Sequence, residues 1–251
     1  MREVFLIGFF LSVGIFLSLK LQAQSATAVV QKADEKMRGK TSVSQIIFKT
    51  IRPGWSRDMR VQVWASGNDR ALLLIQSPVK EKGVAFLKRK KEVWNWLPTL
   101  ERVIKLPPSM MSQSWMGTDF TNDDLVRESS VVLDYSHRFL RDTVVDGKSC
   151  YQIECVPLPQ AAVVWGKLQI GIDKTEFLEM FVRFYDEEGQ LVNTMQSYDI
   201  KRMDGRLIPT RVEMIPADKK GQKTVIQYES VLFDRTIPDD WFTLEKLKQL
   251  H

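Results

Sequence analysis

The sequence predicts a mainly β (α+β) protein built on one antiparallel sheet. Three observations carry this. From residue 42 onward, short runs rich in Val, Ile, Phe and Thr alternate with polar residues at period two. Asp146-Gly147, Glu188-Gly189, Asp204-Gly205 and Lys220-Gly221 separate the later runs at nearly regular intervals, which is the pattern of hairpin turns. About a dozen strands are too many for a flat open sheet, so curling or closure is expected.

The elements follow in order. "TAVVQKADEKMRG" carries Ala26, Val29, Val30, Ala33 and Met37 on one helical face, with Gly39 as a stop. "SVSQIIFKTIRP" and "RDMRVQVWASG" are strands joined across Pro53-Gly54. In the second, Met59, Val61, Val63 and Ala65 form a mainly apolar face opposite Arg60, Gln62 and Trp64. "DRALLLIQSP", "GVAFLKRK", "EVWNWLP" and "ERVIKLP" continue the meander. "ALLLI", from Ala71 to Ile75, is apolar on both faces and must be covered on both.

An irregular segment, 107–131, interrupts the pattern. "SHRFLRDTVV", "KSCYQIECVPL", "GKLQIGIDK", "EFLEMFVRFYD", "QLVNTMQSYDIKRM", "RLIPTRVEMIP" and "QKTVIQYESVLF" then resume it. After Pro238, the spacing of Trp241, Leu244, Leu247 and Leu250 suggests one or two amphipathic helical turns. No repeat or linker divides the chain.

Met1-Arg2-Glu3 precedes an apolar run from Val4 to Leu19, and Ala23 and Ser25 supply small residues for cleavage. The expectation is a signal peptide over 1–23 and a single exported domain over 24–251. An uncleaved anchor is the alternative, although the run is shorter than the ~20 residues of a spanning helix. The formal charge is +5, and losing Arg2, Lys20 and Glu3 removes two positive charges and one negative, leaving +4. That mild excess gives no argument for nucleic acid as a partner.

Cys150 and Cys155 lie in one strand, roughly 16 Å apart on opposite faces. A disulfide needs Cα atoms within ~7 Å, so two buried free thiols are expected.

Several groups invite a functional reading. Trp94 and Trp96 share one strand face, which Trp64 could join, either as core or as the wall of an aromatic-lined interior. "PPSMMSQSWMG", residues 107–117, crowds Met110, Met111, Trp115 and Met116 among breakers, with Phe120 just beyond. Methionine suits surfaces that adapt to varied apolar partners. The segment is therefore either a fixed plug or a movable cover hinged near Pro108 and Gly117.

Thr121 and Asp124 fit a capping box. Asp119, Thr121 and Asp123 mimic the start of a calcium loop, but Asp124 stands where its glycine should be and Ser130 where its glutamate should be. "LKRKKE", Leu87 to Glu92, reads as a solvated hairpin tip or as a docking patch for an acidic partner. His137 is the only internal histidine and has no serine or cysteine motif beside it, which leaves a hydrolase reading weak.

"VWNWLPTLERVIKLPPSMMSQSWMGTDFTNDDLVRES", Val93 to Ser129, resembles the hallmark stretch of the outer-membrane lipoprotein-sorting proteins of the LolA-like superfamily. "IRPGWSRDMRVQVWASGNDRALLLIQSPVKEKG" and the helix-first arrangement are similar to that family as well. The resemblance implies a curled antiparallel sheet forming an incomplete barrel, with helices covering an apolar hollow. It also implies a periplasmic monomer that binds lipid or lipoprotein acyl chains, with no cofactor, no metal and no catalysis. An inner-membrane transporter and an outer-membrane acceptor would be its partners. An envelope-stress sensor using the same hollow is the alternative. The residues expected to line or cover the hollow are Met110, Met111, Trp115, Met116 and Phe120, with Trp94, Trp96, Leu73 and Ile75 in its wall.

Overall fold

The computed structural model describes residues 24–126 and 130–250. The apolar stretch read as a signal segment lies outside them. Ser25 caps the first helix, α1 (Ala26–Arg38), its hydroxyl accepting from the Ala28 N–H at 3.1 Å. Gly39 ends the helix at φ 67°, where glycine meets no Cβ penalty, and its N–H donates to the Glu35 carbonyl at 2.9 Å. Val29, Val30 and Ala33 are buried along one face.

Among the described residues, fourteen strands follow in one sheet. The first six are β1 (Thr41–Arg52), β2 (Trp55–Ser66), β3 (Arg70–Ser77), β4 (Ala85–Arg89), β5 (Glu92–Leu97) and β6 (Arg102–Lys105). Two short helices, α2 (Asn122–Val126) and α3 (Ser130–Leu133), come next. Then come β7 (Tyr135–Phe139), β8 (Thr143–Val145), β9 (Lys148–Pro157), β10 (Lys167–Asp173) and β11 (Glu179–Tyr185). Last are β12 (Leu191–Met203), β13 (Arg206–Pro216) and β14 (Lys223–Phe233), before the C-terminal helix α4 (Leu244–Gln249). The run "SHRFLRDTVV" splits into β7 and β8, both paired with β9.

The hydrogen-bonded order is β6-β5-β4-β3-β2-β1-β14-β13-β12-β11-β10-β9-β7, with β8 off this path on β9. The first and last strands, β1 and β14, pair antiparallel and join two meanders into one sheet. The edge strands β6 and β7 do not pair with each other, so the sheet is an incomplete barrel. At the Asp-Gly hairpins both turn residues have positive φ, 46° and 80° at Asp204-Gly205 and 46° and 75° at Asp146-Gly147. These values match the turn whose twist suits flanking strands.

Strand alternation sorts the side chains onto two faces. Met59, Val61, Leu73, Ile75, Ile170 and Met214 gather on the inner face with the apolar side of α1. On the outer face, register sets Trp64 opposite Leu72, Leu72 opposite Leu87, and Leu87 opposite Trp94. A 3-10 turn (Asp239–Phe242) and α4 cover that row: Phe242 and Leu247 are buried in it, and the Trp241 and Trp64 rings lie 5.6 Å apart. "ALLLI" is thereby covered on both faces, with Leu72 and Ile75 each at 0% exposure. Burying a side chain of this size contributes about 1.5–3 kcal/mol.

Cys155 belongs to the inner cluster and Cys150 to a separate cluster with Leu178 and Met180, and both are free thiols. Lys88, read from sequence as part of a solvated tip, is buried on β4, while Arg89, Lys90 and Lys91 are exposed.

Candidate ligand-binding cavity

Between α1 and the concave face lies a cavity of about 280 Å³. Val30, Ala33 and Met37 of α1 form one side of it. The other side is built from aliphatic residues of strands distant in sequence, among them Val63, Ile170, Val182, Val212 and Ile226. These strands converge because β1 pairs with β14, which sets residues near 45 beside residues near 230.

The strand register gives the cavity two distinct ends. Ser42, Glu179, Ile208 and Phe233 lie at the end where α1 finishes. Phe120, Asp123, Asp124, Trp165 and Phe184 lie at the other. This second end is occupied by the irregular segment 106–121. Trp115, at 1% exposure, sits 5.0 Å from the Phe48 ring and 5.7 Å from the Phe86 ring, and Phe120 meets Phe48 edge-on at 6.1 Å.

The backbone of this segment is satisfied despite its irregularity. The Trp115 N–H donates to the Phe120 carbonyl at 2.8 Å, the Asn122 N–H to Gln113 at 2.9 Å, and the Asp123 N–H to Met111 at 3.0 Å. Asp119 accepts two bonds from the Arg52 guanidinium, each 2.9 Å, and a third from the Thr224 hydroxyl at 2.7 Å. Their side chains are 5% and 13% exposed for Asp119 and Arg52. An ion pair this enclosed fixes geometry, since losing one partner strands the other charge. Arg57 donates to the Met116 carbonyl, and Met116 and Gly117 take φ 50° and 75° to make the bend.

The residues singled out from sequence fall into four places. Phe120 lines the cavity. Trp115, Leu73 and Ile75 are buried in the inner cluster, with Met116 packed against it. Met110 and Met111 belong to a small cluster with Val93 and Leu106. Trp94 and Trp96 require a correction: they lie on the outer face, with Trp64, beneath the C-terminal segment. Period-two spacing correctly puts the three on one face, but their register with Leu72, Leu87 and Ala85 selects the convex one. The cavity-lining residues of β10 to β14 had only one sequence signal, their alternation, as in Leu168, Ile170 and Ile172.

Thr121 and Asp124 form the reciprocal capping box: the Thr121 N–H donates to Asp124 Oδ2 at 2.8 Å, and the Asp124 N–H to Thr121 Oγ1 at 3.1 Å. Asp124 also accepts from Trp165 Nε1 at 2.8 Å. Burial pushes the Asp124 carboxyl above its ordinary range, and the bonds from Thr121 and Trp165 pull it partly back. Asp119, the first residue of the calcium-like spacing, is held by Arg52. No group of three or more His, Cys, Asp or Glu able to hold a metal occurs among the described residues.

His137 ties β7 to the helices, with Nε2 2.8 Å from the Val131 carbonyl and Nδ1 3.1 Å from the Thr27 hydroxyl. Burial holds its pKa below the usual value, against the Val131 bond. Its cross-strand neighbour, Cys155, is pushed up to about 12, chiefly by burial, so the thiol stays protonated and unreactive at neutral pH.

An open antiparallel sheet, a helix over its concave side and an apolar cavity between them define a LolA-like protein. Solved structures bear this out. A domain described as an outer membrane lipoprotein-sorting protein, from Vibrio parahaemolyticus, matches with TM-score 0.80 and 20% identity over 89% of this chain and 98% of that one. A LolA superfamily protein from Nitrosomonas europaea matches with TM-score 0.76 and 26% identity, covering 88% and 99%. A DUF1329 family protein from Desulfovibrio piger matches with TM-score 0.80 and 20% identity, covering 88% and 97%. No curated protein matches the chain. The chain belongs to the family whose model, described as "Uncharacterized protein", matches residues 67–249.

Proposed function

We propose that this protein is an envelope carrier that holds lipid, or the acyl chains of a lipoprotein, in the cavity beneath α1 and catalyses no reaction. The apolar cavity in a LolA-like sheet carries the reading. Each methylene left in water costs about 0.8 kcal/mol, so an acyl chain crosses an aqueous compartment only under cover. The largely apolar walls provide that cover. On this reading cargo passes from an inner-membrane transporter to an outer-membrane acceptor, and the carrier works as a monomer. Segment 106–121 serves as a fixed plug at one end, a role supported by the burial of Trp115 and the Arg52–Asp119 pair.

A neutral fluorescent monoacylglycerol titrated into the purified protein tests the reading. Saturation at one probe per chain is the expected result, and the absence of saturable binding would count against it.

A further inference from the structure

One end of the sheet carries a row of four strand connections. In spatial order they are 217–222 between β13 and β14, 53–54 between β1 and β2, 78–84 between β3 and β4, and 98–101 between β5 and β6. Neighbouring tips touch. A Cβ on Gly221 would lie 4.0 Å from Pro53, Arg57 of β2 pairs with Glu81 at 3.5 Å, and a Cβ on Gly83 would lie 3.4 Å from Pro98. Arg57 also donates to the Met116 carbonyl, which puts the row at the plugged end.

Three successive tips each present a large exposed apolar side chain: Trp55 at 53%, Val79 at 90% and Leu100 at 59% exposure. Residues 53–55, 78–83, 98–102 and 217–222 also hold five cations, Lys80, Lys82, Arg102, Lys219 and Lys220, all of them exposed. Against these stand Glu81, Glu101 and Asp218, and Glu81 already pairs with Arg57. None of the five cations has an ion-pair partner among the described residues. The next tip round the sheet, 186–190, carries Asp186, Glu187 and Glu188, so the basic row stops at 217–222.

This pattern favours one kind of partner. A protein partner buries a contiguous patch of about 800 Å² a side, with charge depleted from its core. Here the apolar side chains stand singly on successive tips, with unpaired cations beside them. A bilayer accepts that arrangement: isolated apolar points enter the headgroup region, tryptophan sits at its boundary, and cations meet diffuse negative charge.

We propose that this row of tips docks on the surface of an anionic phospholipid bilayer. Trp55, Val79 and Leu100 enter the headgroup region and the five cations face the lipid charge. The docking goes beyond the carrier reading and does not depend on the cavity holding a ligand.

Cys150 and Cys155 are buried, so a cysteine placed on a tip can be labelled selectively. A nitrobenzoxadiazole label on Val79→Cys reports insertion locally. The same label on Val144→Cys, a residue 69% exposed on β8 at the opposite end, is the control. Mixed phosphatidylglycerol and phosphatidylcholine vesicles should shift the label at 79 to the blue and leave the label at 144 unmoved. Affinity for pure phosphatidylcholine vesicles should be at least about tenfold weaker, and salt should weaken the anionic binding.

Lys80→Gln/Lys82→Gln should weaken binding to the anionic vesicles about twentyfold, at about fivefold per cation. Lys90→Gln/Lys91→Gln, at the opposite end, should change it by less than about twofold. Trp55→Ala should weaken it at least about fivefold. All three variants should keep the parental melting temperature and monoacylglycerol affinity, because the side chains are exposed and outside the cavity.

A label at 79 that anionic vesicles do not move, or equal shifts at 79 and 144, overturns the proposal. So do equal affinities for neutral and anionic vesicles, or equal losses in the two lysine pairs. A shift with polyglutamate and none with vesicles overturns it in favour of an acidic protein surface. Docking by a protein that fails to bind monoacylglycerol supports this proposal while the carrier reading fails.

Discussion

Trp115→Ala is expected to lower the unfolding free energy by about 3–5 kcal/mol, the range for removing a large buried aromatic. The indole is almost wholly enclosed and packs tilted against Phe48 on β1 and Phe86 on β4. Each ring pair adds about 0.5–1.5 kcal/mol beyond buried area. The surrounding hydrogen bonds and the Arg52–Asp119 pair hold the backbone in place, so the site is poorly able to collapse into the void. For a chain of this length the midpoint should fall by roughly 10 °C in thermal unfolding. A fixed plug predicts that loss of stability comes first and that acyl binding per folded molecule changes little. A movable cover predicts the reverse, with a near-parental midpoint and altered binding.

Val63→Trp is expected to weaken acyl-probe binding about 50-fold, if the indole displaces about three methylenes at ~0.8 kcal/mol each. Val63 is half-buried in the C-terminal half of β2, between Ser44 and Leu73, and lines the cavity, so an indole there extends into it. Overpacking elsewhere in a core costs about 1–3 kcal/mol, and the available room should keep the penalty at the low end. Binding measured by probe titration should fall sharply while the unfolding midpoint shifts by only a few degrees. A matching substitution on the outer face, Leu74→Trp, lies away from the cavity lining and should leave affinity unchanged.

The contrast between these positions shows what the sequence could and could not reveal. Strand alternation and Asp-Gly turns locate nearly every element, because hairpin geometry and period two are local properties. The two-sided burial of "ALLLI" was also legible, since Leu72 and Leu73 must point opposite ways and both are apolar. The irregular segment announced itself through its misplaced methionines and tryptophan, and its capping box at Thr121 and Asp124 forms as spaced.

Which face is hollow is not local. Trp94 and Trp96 share a face with Trp64 by spacing alone, but only the placement of Trp241, Phe242 and Leu247 shows that this face is the covered outer one. The C-terminal apolar residues were the available clue, since they need a surface to pack on. The cavity itself depends on the closure of β1 onto β14 and on α1 lying across distant strands. Its walls are ordinary valines and isoleucines, whose sequence pattern is that of any buried strand. Of the aromatic and methionine residues that drew attention, only Phe120 lines the cavity, and the others pack in the inner, outer and Met110–Met111 clusters.

The central claim, that the cavity holds an acyl-chain ligand, is tested most directly by mass spectrometry of the protein isolated from cell envelopes without detergent. The account predicts an acyl-bearing lipid or lipopeptide near one per chain in the parent protein and its marked depletion in Val63→Trp. A ligand-free parent protein, or equal lipid in both, would contradict it.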